Sequence, residues 1–152
     1  MVEDKSRVIF ICIGTNKLAG DCLGPMVGTY LKHKFKNRLY KDIEVYGDIN
    51  KPVDYNNINY ILNKIENKNN ECVKVLVDSA LGENVGSILI NSGGIFIGQG
   101  IFKGKEIIAD INIRGIVGKN YKSIKQNILE LENKDLSKIA EMANYIVNAI
   151  EI

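Results

Sequence analysis

Two short apolar runs, Arg7-Val-Ile-Phe-Ile-Cys-Ile13 and Val73-Lys-Val-Leu-Val-Asp78, restrict the fold of this chain more than any other feature. A strand with one wet face alternates apolar and polar residues. These runs are almost continuously apolar and rich in β-branched side chains, which is the pattern of strands covered on both faces in a parallel sheet. Neither is long enough to span a bilayer. A polar, Gly-containing loop over residues 14–24 follows the first run, and Pro25 is placed to open a helix at its first position. Met26, Val27, Tyr30, Leu31 and Phe35 fall on one face of that helix, with Lys32, Lys34 and Lys36 on the other. A second strand is expected over Ile43–Gly47. After the break at Asp48–Pro52, Ile58, Ile61, Leu62 and Ile65 mark a second helix at i, i+3, i+4, i+7.

Val85–Asn91 and Ile107–Val117 read as two more strands forming a hairpin around the Gly-rich stretch Ser92–Gly104. Leu136, Ile139, Ala140, Ala143, Ile146, Val147 and Ile150 predict a closing helix, with Asp135 as its N-cap. The order strand, helix, strand, helix, strand, hairpin, helix is that of an α/β sandwich. Right-handed crossovers make its first three strands parallel. With 152 residues, 45% hydrophobic and 25% charged, the chain is expected to form a single domain over residues 1–152. The same numbers exclude disordered, collagen-like, coiled-coil and disulfide-scaffold classes. Twenty Lys and Arg against eighteen Asp and Glu leave a net charge of +2, too small a field to imply a nucleic-acid or membrane surface. Cys12, Cys22 and Cys72 are odd in number and lack Cys-x-x-Cys spacing. They read as reduced thiols of a cytoplasmic protein.

In an open parallel sheet the binding crevice lies at the carboxyl ends of the strands. Two acidic residues stand there: Asp21, in the loop after the first run, and Asp78, at the end of the other. If the two strands are neighbours, the carboxylates face one crevice. Two such groups close together do not both ionise easily, so one holds a proton while the other acts as base. Each also has a plainer reading: Asp21 as a cap for the helix near Pro25, Asp78 as turn chemistry. Gly14, Gly20 and Gly24 do not match a dinucleotide fingerprint, and the run Gly98–Gly104 lacks the Gly-Lys-Ser/Thr ending of a phosphate loop. His33 lies among lysines and is expected to face solvent. Cys12 reads as inert core and Cys22 as an exposed loop thiol without a histidine to activate it. Ser79 lacks a histidine base for the same reason. Arg114 and Tyr121 are candidates for the crevice wall.

The stretch Ile11-Cys-Ile-Gly-Thr-Asn-Lys-Leu-Ala-Gly-Asp-Cys-Leu-Gly-Pro25 resembles the opening of the YyaC-type sporulation proteins, relatives of the spore germination protease. Tyr46-Gly-Asp-Ile-Asn-Lys-Pro-Val53, Val77-Asp-Ser-Ala-Leu-Gly-Glu-Asn-Val-Gly86, Gly98-Gln-Gly100 with Lys103, and Asp110-Ile-Asn-Ile-Arg-Gly-Ile-Val117 continue the likeness in the same order. The resemblance covers roughly residues 7–150. It implies a three-layer α/β/α fold with a mixed, mostly parallel sheet of about five strands, one antiparallel, as in the hydrogenase-maturation peptidases. It also carries the two essential aspartates of the germination protease over to Asp21 and Asp78. In the hydrogenase-maturation peptidases, acidic residues at the same places and a later His hold nickel. No His follows His33 here, so neither metal nor other cofactor is expected. The chain departs from the family at Asn16, where an acidic residue is expected, at Asp54, where a His is expected, and over Gly118–Ser123.

The reading that follows is a sporulation- or germination-related peptidase that hydrolyses an amide with a water activated between Asp21 and Asp78. Asp21, near the positive end of the first helix, is the expected ionised partner. Asp78, at the end of an apolar strand, is the expected protonated one. Asn16, Gly20, Gly82 and Lys103 are the expected substrate-binding residues, with backbone N–H groups around Gly82 polarising the carbonyl. The expected partner is a peptide or protein substrate in the cytoplasm of the developing spore or mother cell, not nucleic acid or membrane, and homo-oligomerisation stays open. Two rivals remain: a non-catalytic peptide-binding or regulatory protein on the same fold, and a peptidase using a hard divalent cation held by the two aspartates.

Overall fold

The computed structural model describes residues 7–36, 42–68, 71–98 and 104–152. The first apolar run is strand β1 (Arg7–Cys12), and the second belongs to the longer strand β3 (Cys72–Leu81). They lie side by side and parallel, in register from Arg7↔Cys72 to Cys12↔Val77. Strand β2 (Ile43–Tyr46) pairs parallel on the other side of β1. Strand β7 (Ile111–Gly118) pairs parallel with β3, and β4 (Ile88–Ser92) closes the sheet antiparallel to β7. The order β2-β1-β3-β7-β4 is thus a mixed, mostly parallel five-stranded sheet. The expected hairpin exists as the β4–β7 pair. A smaller one, β5 (Ile95–Ile97) with β6 (Lys105–Ile107), is inserted between its arms.

The absence of alternation in β1 and β3 is explained by layers on both sides. Phe10, Cys12, Val75 and Val77 pack with Leu23, Val27 and Leu31 of helix α1 (Leu23–Phe35) and Ile139, Ala143, Ile146 and Val147 of α4 (Leu136–Ala149). Ile9, Ile11 and Leu76 face the other way, onto Ile58 and Ile65 of α2 (Ile58–Glu66) and the apolar residues of β5 and β6. The result is a three-layer α/β/α sandwich. Asp135 caps α4 as expected, its carboxylate accepting the Ser137 N–H at 2.9 Å. The Lys34 ammonium donates to the carbonyls of Val147 and Ile150 at the other end of that helix.

Three local expectations change. A 3₁₀ turn over Ala19–Cys22 precedes α1, which starts at Leu23, so Pro25 is its third residue rather than its first. Strand β3 does not stop at Asp78. Strand β7 supplies backbone partners as far as Leu81↔Gly118, which keeps the chain extended past the acidic residue. A further helix, α3 (Ile124–Glu132), follows β7. It fully buries only Asn127 and Leu131, yet Ile124, Ile128 and Leu131 stand at i, i+4, i+7, and Ser123 and Gln126 have the spacing of a capping box, so its signal was present in the sequence.

Candidate active site

The chain order puts a switch point between β1 and β3. The connection from β1 to β2 leaves on one side and the strand after α2 returns on the other, so the loops diverge at the carboxyl ends of these two strands. Ile13 still donates its N–H to the Val77 carbonyl at 2.7 Å, and there the first chain turns away. Strand β3 continues, supported only by β7. A cavity of about 460 Å³ occupies the space so opened, lined among others by Asp21, Asp78, Ser79, Gly82, Arg114 and Leu131.

Asp21 is held by its turn. Its backbone N–H donates to the Leu18 carbonyl at 3.0 Å, and its own carbonyl accepts from Thr15 at 3.1 Å. Gly20 beside it is buried, with no side chain to keep Leu131 of α3 away from the turn. The N-cap of α1 is Cys22, and no side chain caps the helix there. The Asp21 carboxylate instead accepts the Ser79 hydroxyl, Oγ to Oδ1, at 3.1 Å.

Asp78 is reached from strand alternation. Val75 and Val77 point toward α1 and α4 and Leu76 toward α2, so Asp78 shares Leu76's face and Ser79 turns toward Asp21. Arg114 stands opposite Asp78 in register on β7, between it and Leu89 of β4. Asp78 is only 5% exposed.

Burial is the largest influence on both carboxyls. It raises Asp21 to about 6, against the Ser79 hydroxyl and the Thr15 N–H, which favour the charged form. Asp78 is raised to about 8, first by burial and then by the Asp21 charge, with Arg114 and the Ser79 N–H pulling the other way. At neutral pH the pair therefore divides into an ionised Asp21 and a protonated Asp78, one proton acceptor and one donor on the same cavity.

The expected substrate-binding residues separate. Gly82 lines the cavity, but its N–H is taken by the Gly118 carbonyl at 2.8 Å and is not free to polarise a substrate. The Asn16 amide donates to the Ile49 carbonyl at 3.0 Å and fastens its loop to the turn after β2. Gly20 serves the packing of the Asp21 turn. Lys103 lies outside the described residues. His33 is exposed as expected. Cys22, expected to be open, is buried with its thiol against the Leu18 carbonyl, and burial raises its pKa. Burial likewise pushes the Cys12 thiol up to about 12. Arg114 lines the cavity as expected, whereas Tyr121 is exposed away from it, and Ser79 is the residue whose weight sequence reasoning missed. The signal for Ser79 was its position next to Asp78, one step along a strand toward the opposite face.

Among the described residues no three His, Cys, Asp or Glu side chains gather where they could hold a metal ion. The donor set on the cavity is two carboxyls without imidazole, one of them protonated at neutral pH, beside a guanidinium. That chemistry does not fit nickel.

Among solved structures the chain is similar to the NiFe hydrogenase maturation protease HycI from Thermococcus kodakarensis KOD1. The match has a TM-score of 0.62 at 16% identity, over 96% of this chain and 90% of that one. The two share an α/β fold. Among curated proteins the chain is 31% identical over 147 residues to the uncharacterized protein YyaC of Bacillus subtilis (strain 168), covering 95% of this chain and 68% of that relative. The family described as protein of unknown function DUF1256 matches residues 1–149, and it is to this family, on an α/β fold shared with a hydrogenase maturation protease, that the chain belongs.

Proposed function

We propose that the protein is an aspartate-dependent peptidase, a single germination-protease-like unit that hydrolyses amide bonds in a peptide or protein substrate. The supporting observation is the pair Asp21 and Asp78 on one cavity at the sheet's switch point, buried to different degrees and differing in protonation. A water between the two is activated by Asp21, which takes its proton as the oxygen attacks the carbonyl carbon. Asp78 gives its proton to the leaving nitrogen as the C–N bond breaks. Transfer of the captured proton from Asp21 back to Asp78 restores the pair. Ser79 fixes the Asp21 carboxylate and keeps it charged. The resemblance to sporulation proteins extends this reading to a substrate of the sporulating or germinating cell, met in the cytoplasm of the developing spore or mother cell.

The test is cleavage of a broad peptide panel by the parent chain, Asp21→Asn and Asp78→Asn, with thermal melting of all three. Each variant is expected to lose cleavage at unchanged or raised stability, because an amide keeps the shape, removes at Asp21 a charge that burial opposes, and at Asp78 needs no proton to be buried neutral. No cleavage by the parent, with stability falling by about 0.5–2 kcal/mol in both variants as for a lost structural cap, overturns the peptidase. Peptide binding without turnover then favours the non-catalytic reading.

A further inference from the structure

Among the described residues Arg114 is the one cation on the cavity, and no ion pair there uses it. Its Nε is fully buried with no hydrogen-bond partner. Among the described residues the guanidinium makes no ion pair with any carboxylate. Its in-register neighbours are Asp78 on one side and Leu89 on the other. Leu89 has no acceptor to offer. Asp78 stays protonated at neutral pH and so supplies no counter-charge. A buried donor without an acceptor is costly, and a guanidinium more so. Strand β7 nonetheless places this side chain on the cavity wall, on the same sheet face as Asp78.

A guanidinium presents parallel N–H donors whose fork matches a carboxylate, and the match is bidentate. The rest of the wall sets the charge of the guest. Asp21 is ionised across the cavity and Glu83 is exposed at its edge. A doubly charged anion meets repulsion from both, while a planar monoanion is matched by the single guanidinium.

We propose that Arg114 anchors a carboxylate of the substrate, placing an acidic side chain or a free chain-terminal carboxylate next to the amide that Asp21 and Asp78 attack. The proposal rests on the peptidase reading for what happens to the substrate, but not for the binding itself. It makes the protein selective for acidic peptides, with Arg114 the specificity-determining residue.

Calorimetry at pH 7 on the full chain tests it with four alanine-based peptides: a blocked peptide with one central Glu, its Gln counterpart, a blocked neutral peptide, and the same peptide with a free terminal carboxylate. A carboxylate peptide is expected to bind roughly tenfold more tightly than its neutral counterpart. The Glu peptide and the free-terminus peptide identify which source of carboxylate is used. In Arg114→Gln the preference disappears, and in Arg114→Lys, which keeps the charge without the fork, it is reduced. Equal binding of acidic and neutral peptides, no binding of either carboxylate peptide, or a preference that survives in a folded Arg114→Gln overturns the proposal. The selectivity of the parent chain decides the matter even if a variant does not fold. Cleavage followed in the same samples separates the two readings. Acid-selective binding without turnover keeps the anchor and removes the peptidase, and turnover of neutral and acidic peptides alike does the reverse.

Discussion

At the scale of single residues, the division of labour between two chemically identical side chains comes from their neighbours. Asp21 accepts a hydroxyl and a backbone N–H at the cavity wall, whereas Asp78 is 5% exposed and faces the Asp21 charge. Hydrogen bonds to a carboxylate favour its charged form and burial disfavours it, so the Ser79 hydroxyl, with the Thr15 N–H and the deeper burial of Asp78, keeps Asp21 the more acidic of the two. Ser79→Ala removes that bond while burial remains. The Asp21 pKa is then expected to move further up from about 6, toward that of Asp78. Carbon-13 NMR titration of the aspartate carboxyls measures this without reference to activity, and an unmoved Asp21 midpoint counts against Ser79. If the chain cleaves peptides, the acid limb of its pH–rate profile moves up by the same amount.

At the scale of elements, the site depends on how closely α1 lies on the sheet. Two glycines permit the approach. A Cβ at Gly24 would overlap the Ile13 carbonyl, and one at Gly28 would overlap the carbonyl oxygen of Gly47, which itself adopts a φ of +91°. Alanine is a better helix former than glycine by about 1 kcal/mol. Overpacking a tight contact costs about 1–3 kcal/mol, and here the obstacle is backbone that cannot rotate away. Gly28→Ala is therefore expected to destabilise the chain by about 1–2 kcal/mol net. Urea denaturation reads this as a lower midpoint at unchanged slope. An unchanged or higher midpoint means that α1 rides further from the sheet. Because α1 follows directly from the Asp21 turn, the same substitution is expected to weaken peptide binding at the cavity.

At the scale of the whole molecule, the two aspartates make stability depend on pH in the direction opposite to most surface carboxylates. Both fold with a raised pKa, from an ordinary value of 3.8 to about 6 for Asp21 and about 8 for Asp78. Between about pH 4 and pH 8 the folded chain holds protons that the unfolded chain releases. Stability therefore falls as pH rises through that window. Asp48, Glu130 and Asp135 are lowered instead, Asp48 and Glu130 through lysine partners and Asp135 through Ser137. Their contribution is lost only in acid, below their ordinary values. Melting temperature is expected to peak near pH 4–5 and decline toward pH 8.5, and Asp78→Asn is expected to flatten the upper half of the decline. A flat or rising curve from pH 5 to 8 in the parent is incompatible with two buried, protonated carboxyls.

Local pattern was sufficient where the physics is local. Nearly unbroken apolar, β-branched runs at Arg7–Ile13 and Val73–Val77 meant strands covered on both faces, because a strand with one wet face would alternate apolar and polar residues. The helical spacing of Ile58, Ile61, Leu62 and Ile65, and Asp135 ahead of the last helix, required only a few consecutive residues. Asp21 and Asp78 stood out because strand ends are where a parallel sheet opens. The sequence by itself thus determined the layered α/β class and drew attention to two acids. The tertiary structure decided their surroundings. Strand β7, more than thirty residues downstream, carries β3 past Asp78, takes up the N–H of Gly82 and sets Arg114 beside the acid. The turn before α1 aims Asp21 at Ser79 instead of at a helix end, and buried Gly20 lets Leu131 of α3 close on it. Protonation and pairing are set by what lies within a few ångströms, and in a sheet with crossovers those neighbours come from distant parts of the chain.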